Sequence, residues 1–196
     1  MAKPSAPSRE RIVAGAADMI SRRGLNGTSI RDLAKHAKAP LGSTYHYFPE
    51  GKQQLATEAV RYADAAVTRV LRKELDAGPV AGLHAFLALW RGIVLASDFR
   101  AGCPVLAVAV EEPPADETPP ALVAATEAFD RWEQLLAEAL REHGAAPDQA
   151  PGLATLVVAS VEGAIAMCRA KRTMEPLDQV ARQLEALILG ALDQPA

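Results

Sequence analysis

The chain has 196 residues, 49% hydrophobic, 5% aromatic and 23% charged, with two cysteines and a formal net charge of −3. This size and apolar content suit one compact domain with a smaller one appended. Cys103 and Cys168 lie in apolar surroundings with no CxxC and no neighbouring His, so neither a disulfide framework nor a zinc site is indicated. The charge is unevenly divided. Residues 1–52 hold nine Lys/Arg against four Asp/Glu, net +5, and the remainder is net −8. A pI near 5.8 argues against nucleic acid for the whole chain, and the split argues for it at one end.

Every segment with a clear pattern reads as helix. Residues 1–7, rich in Pro, Ser and Ala, read as a disordered tail, and the first ten residues carry no signal-peptide core. No uninterrupted apolar run reaches the ~18 residues that cross a bilayer. The expectation is a cytoplasmic protein with reduced, buried thiols and no membrane partner. Ser8 can cap a helix from Arg9 to Arg23, with Ile12, Ala16, Met19 and Ile20 facing inward and Gly24 ending it.

Residues 28–55 are the most informative. Ile30, Leu33, Ala34 and Ala37 recur at i, i+3, i+4, i+7, so Thr28 to Ala37 reads as an amphipathic helix. Lys38-Ala39-Pro40 forms a turn. A second short helix, Leu41 to Tyr47, is small, hydroxylated and aromatic. Together they have the build of a helix-turn-helix whose second helix fits a DNA major groove. Thr28 and Ser29 open the first helix, where a hydroxyl caps backbone N–H groups and the helix N-terminus favours a phosphate. Gly42, Ser43 and Thr44 are short enough to let the backbone approach the groove. Phe48 reads as core. His46 stays open between a DNA contact and simple exposure.

A long helix follows from Gly51 or Lys52 to Leu75, with Leu55, Ala59, Tyr62, Ala66 and Val70 along it, ended by Gly78-Pro79. Further helices are expected at roughly 80–97, 102–111, 119–143, 150–172 and 176–192. Val105 to Val110 reads as a short buried helix rather than a strand. Residues 112–120 form an acidic, proline-rich loop, expected to be the mobile segment of the C-terminal part.

No catalytic constellation, metal-ligand set or cofactor motif stands out, and His36, His46, His84 and His143 are scattered. Large apolar and soft side chains are abundant instead. Phe86, Trp90, Phe99, Cys103, Leu106, Trp132, Met167 and Cys168 are partly core and partly candidates to line a cavity for a flat aromatic or lipophilic ligand, with His84 or Arg91 as polar fixing points. Ala159, Gly163, Ala166 and Ala170 form a small-residue stripe, and the last helix carries Leu184, Leu187 and Ile188. These faces read either as a four-helix dimer interface or as intrachain packing.

The sequence Thr28-Ser29-Ile30-Arg31-Asp32-Leu33-Ala34, then Tyr45-His46-Tyr47-Phe48, Lys52 and Leu55, closely resembles the TetR family of transcriptional repressors. Three residues, Pro49-Glu50-Gly51, separate Phe48 from Lys52 where most members have two. With Gly102-Cys103-Pro104-Val105 and the Ala/Val run ending at Glu111, this resembles the LmrA/YxaF-like branch. Two departures stand out: Lys38 sits where a Gly commonly makes the turn, and Leu41 fills a slot that is often basic. The resemblance implies an all-α protein of about nine helices. An N-terminal three-helix helix-turn-helix domain would span 1–51, and a helical ligand-binding and dimerisation domain 52–196. It implies Pro40, Leu41, Gly42, Ser43 and Thr44 facing bases, and Tyr45, Tyr47 and Lys52 on phosphates. It further implies a homodimer on a pseudo-palindromic operator in double-stranded DNA, released by a small-molecule inducer. Two alternatives remain: an activator or ligand-independent regulator, and a small helical enzyme acting on a lipophilic substrate.

Overall fold

The computed structural model describes residues 9–113 and 118–193. The expected tail at 1–7, the Ser8 cap and the middle of the acidic loop lie outside the described residues. Among the described residues there are nine α-helices and no strand: α1 (Arg9–Arg23), α2 (Ile30–His36), α3 (Leu41–Tyr47), α4 (Lys52–Leu75), α5 (Pro79–Ala96), α6 (Pro104–Ala109), α7 (Pro120–Glu142), α8 (Gln149–Lys171) and α9 (Glu175–Leu192). The chain forms two compact units, Met1–Asp64 with Pro104–Thr126, and Ala65–Cys103 with Glu127–Ala196. The sequence division after residue 51 is not where the contacts divide, because α4 and α7 contribute to both units and α6 joins the N-terminal helices.

In the first unit, α1 packs on α2 and α6, and α2 packs on α3. The stripe Ile12, Ala16, Met19 and Ile20 is buried, as its spacing predicts. Gly15 lies so close to α2 that an added Cβ would sit 2.7 Å from the Ala37 Cβ, so glycine is what allows this approach. In the first half of α4 Leu55, Ala56, Thr57, Ala59 and Val60 are buried, while Tyr62 is exposed. The stripe expected along this helix is thus rotated in its second half, where Val67 and Leu71 are buried instead of Ala66 and Val70.

The start of α2 differs from expectation. Ser29 is the N-cap: its hydroxyl accepts from the Asp32 N–H at 3.1 Å, and the Asp32 carboxylate accepts from the Ser29 N–H at 3.1 Å. This reciprocal pair satisfies two otherwise open donors. At the other end, Lys38 takes φ 53°, its N–H donates to the Lys35 carbonyl at 3.1 Å, and the Ala39 N–H donates to the Ala34 carbonyl at 2.9 Å. That is a Schellman stop built on a non-glycine residue in the left-handed region.

In the second unit, α8 packs on α9 and α5, and α5 packs on α9. Gly78 precedes Pro79 at the head of α5, and Pro176 opens α9. By length and composition α5 and α8 are apolar enough to cross a bilayer, with mean hydropathy 1.5 and 1.6. Neither helix is an uninterrupted apolar run, because His84 and Arg91 interrupt α5 and Glu162 interrupts α8. Both helices bury one face in the unit's core, through Leu83, Phe86, Trp90 and Val94 on α5 and Val157, Val161 and Ile165 on α8.

A left-handed conformation costs a non-glycine residue about 1–2 kcal/mol. Lys38→Gly is therefore expected to stabilise the protein by ~1 kcal/mol, read as a higher melting temperature. A lower melting temperature would mean that the Lys38 side chain makes contacts worth more than the strain.

Candidate functional site

α3 has two faces with different jobs. Thr44 is 0% exposed and its hydroxyl donates to the Pro40 carbonyl at 3.2 Å, while Phe48, one turn on, is fully buried. The opposite face carries Gly42, Tyr45 and His46, at i, i+3, i+4, all exposed, with Tyr45 at 49%. Pro40 is exposed, and Leu41, Ser43, Tyr47 and Lys52 are half-buried. A Cβ added at Gly42 would meet nothing within 4 Å, so the middle of this face is open. Two sequence candidates are corrected. Thr44 turns inward because it shares the face of Phe48, and Thr28 is buried with its hydroxyl donating to the Leu25 carbonyl at 2.9 Å, so neither presents a hydroxyl to a ligand. Ser29 is exposed and already occupied by Asp32.

Several contacts fix this face. The Arg9 guanidinium lies 5.3 Å over the Phe48 ring and pairs with Glu58 on α4. Asp18 on α1 accepts from the Arg22 Nε at 2.9 and 3.0 Å and pairs with His36 Nε2 on α2 at 2.5 Å. Burial pushes the Asp18 carboxyl up, but hydrogen bonds from Arg22 and His36 outweigh it and leave it below the usual carboxylate range. Glu111, just after α6, accepts the Asn26 N–H through both oxygens at 2.8 and 3.0 Å. Gly24, at φ 74°, leaves room for that carboxylate, which an added Cβ would meet at 2.4 Å.

The interior of the second unit is aromatic. Phe86 and Trp90 of α5 and Phe129 and Trp132 of α7 meet edge-on or tilted, with centroids 5.6–6.5 Å apart. Cys103 and Cys168 are buried, and Phe99 is half-buried at φ 59°. One cavity candidate is corrected: Met167 is 48% exposed on the outer face of α8, one position from the inward Cys168. Leu106 is half-buried on α6, in the first unit. Among the described residues, no group of three or more His, Cys, Asp and Glu side chains is placed to hold a metal ion.

The outer face of α8 exposes Ala159, Gly163, Ala166 and Ala170 together with Leu156 and Met167. On α9, Leu184 and Ile188 are buried within the unit, which corrects their placement at a dimer interface; they pack where α9 meets α8 and α5. Leu187, Ala186 and Gly190 are the exposed positions, and with Gly152 and Leu156 they line a shallow groove.

Residues 12–59 match the family described as bacterial regulatory proteins, tetR family, and residues 79–183 match the LmrA/YxaF-like transcriptional regulator C-terminal domain. An uncharacterised HTH-type transcriptional regulator of Mycobacterium tuberculosis is 42% identical over 95% of this chain and 96% of its own. The chain belongs to the TetR family. YxaF, an uncharacterised HTH-type regulator of Bacillus subtilis, is 31% identical over 92% of this chain and 95% of its own, which places this TetR-family protein in the LmrA/YxaF-like group. A solved structure of the TetR-family regulator CifR, a cysteine mutant complexed with 26-base-pair operator DNA, superposes with a TM-score of 0.77 at 22% identity, covering 94% of this chain and 98% of that one. These relatives are regulators rather than enzymes.

One residue of this TetR-family chain was missed by the sequence reading. Glu162 on α8 is 3% exposed, and neither of its carboxylate oxygens has a hydrogen-bond partner. The signal was present as a lone acid in the apolar run Leu153–Cys168, in phase with Val158, Val161 and Ile165. Burial pushes its pKa up to about 8, against a small opposing effect of the Cys103 thiol. Because the folded state holds this proton and the unfolded state releases it near 4.5, stability falls as pH rises from 4.5 to 8 and levels off above. The full swing is on the order of several kcal/mol. Melting curves between pH 5 and 9 should show wild type losing stability relative to Glu162→Gln, and parallel curves would show that Glu162 does not titrate in this range.

Proposed function

We propose that this TetR-family regulator is a repressor that binds a pseudo-palindromic operator as a homodimer and leaves it when a small lipophilic ligand binds. The observation that carries the DNA half is the division of α3 into an anchored face, Thr44 with Phe48, and an open face of Gly42, Tyr45 and His46. Small and aromatic polar side chains on a short exposed helix suit close approach to base edges. Pro40, Leu41, Gly42 and Ser43 take the base-facing role, and Tyr45, Tyr47 and Lys52 the phosphate role. Phosphate contacts supply affinity and position, and base contacts supply specificity. The operator-bound CifR structure supports the same use of the fold.

The second copy would dock on α8 and α9. Gly152, Gly163 and Gly190 each face open space, and Leu156, Met167, Leu187 and Leu189 are between 44% and 48% exposed. A small-residue stripe flanked by half-exposed large apolar side chains lets two helices pack closely and buries apolar surface. Two copies would present two α3 helices to two half-sites. Residues 1–51 would carry the DNA contacts and 52–196 the ligand and dimer functions, in a cytoplasmic regulator.

Phe86, Trp90, Trp132, Cys103, Cys168 and Phe99 would meet the ligand. Two features favour transmission to the reading face. α4 runs through both units, and α6 begins immediately after Cys103 and leads to the Glu111 clasp on Asn26. A ligand that prefers one setting of these elements shifts operator affinity by the difference between its affinities for the two settings.

Lys52→Ala should weaken specific and non-specific DNA binding alike and flatten the slope of log K against log[salt] by about one unit. A change in sequence preference alone would remove Lys52 from the phosphate role. Gly163→Leu meets no obstacle within the chain, so sedimentation should show helical monomer in place of dimer. A variant that stays fully dimeric would move the interface elsewhere.

A further inference from the structure

Neither DNA binding nor dimerisation accounts for Glu162. Its carboxyl is buried on the inner face of α8 with Val158, Val161 and Ile165, and neither oxygen has a partner. A second polar group in the same unit is equally unsatisfied: the Trp90 indole N–H on α5, a helix that packs against α8. Buried polar atoms without partners cost free energy and are few in folded proteins. Among the described residues, no Lys, Arg or His contributes to the electrostatics of this carboxyl. Arg91 of α5 pairs with Asp178 of α9, and this pair lies near Cys168 rather than Glu162. On α8 the Arg169 guanidinium donates to the Arg100 carbonyl, and Arg172, just past the helix, pairs with Asp98. The titratable group that faces Glu162 is the Cys103 thiol.

We infer that Glu162 is the charge anchor for a lipophilic cation, an aromatic body carrying a quaternary or protonated amine, taken into the aromatic interior of this unit. The inference rests on the reading of this unit as the effector-binding one and names the ligand's chemistry. A cation supplies the one thing the site lacks, an opposite charge in low-dielectric surroundings where pairing is strong. The ring faces of Trp90, Trp132, Phe86 and Phe129 favour the same kind of molecule through cation–π contact and apolar burial. A neutral effector would leave the carboxyl in its protonated form and gain no charge pairing from it. In the free protein the carboxyl holds its proton at neutral pH, because burial raises its pKa to about 8. Pairing with a cation removes that need, so binding releases up to one proton to solvent and strengthens as pH rises towards 8.

The test uses the full chain, wild type and Glu162→Gln, titrated with 2-naphthyltrimethylammonium and with its neutral isostere 2-tert-butylnaphthalene. Binding is followed by tryptophan fluorescence, and proton release by calorimetry in buffers of different ionisation enthalpy. Wild type should prefer the cation by ~10-fold or more at pH 8 and lose affinity for it by up to ~10-fold per pH unit below that, with proton release. Glu162→Gln should bind the isostere as wild type does and lose both the preference and the pH dependence. The proton-release measurement on wild type stands even if the variant folds poorly. Equal binding of cation and isostere by wild type, or a preference kept by Glu162→Gln, overturns the anchor and leaves the effector-binding reading intact. Binding of neither probe overturns the anchor and counts against that reading as well.

Discussion

The anchoring of α3 is the constraint on which its exposed face depends. A seven-residue helix is unstable by itself in water, so its conformation comes from tertiary contact. Phe48 supplies that contact from full burial, with Arg9 over its ring and Thr44 one turn earlier on the same face. Because those two residues take the inner face, Gly42, Tyr45 and His46 are held outward. The position of α2 is set with equal economy: Gly15 lets α1 close on Ala37, Asp18 ties Arg22 to His36, and Lys38 accepts a strained conformation to stop the helix where α3 begins.

The second unit has a different logic. Two tryptophans and two phenylalanines fill its interior edge-to-face, a geometry that buries large apolar area with favourable ring orientation. Within this apolar packing, the unpartnered Glu162 carboxyl and Trp90 indole N–H are exceptions, and local rules broken in a folded core point to function. The segment before α6 adds strain of its own, with Asp98 and Phe99 both at positive φ and held by Arg172 through an ion pair at 2.9 Å and a guanidinium 5.7 Å from the Phe99 ring.

Helix positions were legible wherever a single apolar stripe dominated. In α1 the spacing of Ile12, Ala16, Met19 and Ile20 left one solution. The start of α2 offered two hydroxyls, and Asp32 three residues after Ser29 was the overlooked sign that Ser29, not Thr28, is the cap. Thr44 was read from a family pattern, although its i, i+4 relation to Phe48 already put it on the core face. On α9, Leu184, Leu187 and Ile188 are all apolar, so composition gave no means of choosing which of them faces inward. The grouping of α6 with the N-terminal helices was beyond local pattern altogether. It follows the packing of α6 on α1 and brings Glu111 to Asn26 across 85 residues of sequence.

The most direct measurement is selection of fragments of the source genome by the purified full-length protein, followed by sequencing of the bound DNA. Enrichment of a pseudo-palindrome, occupied by two chains and protected across both half-sites, is the expected result. Retention of DNA without any enriched sequence, or no salt-sensitive retention at all, would contradict a regulator that reads its operator through α3.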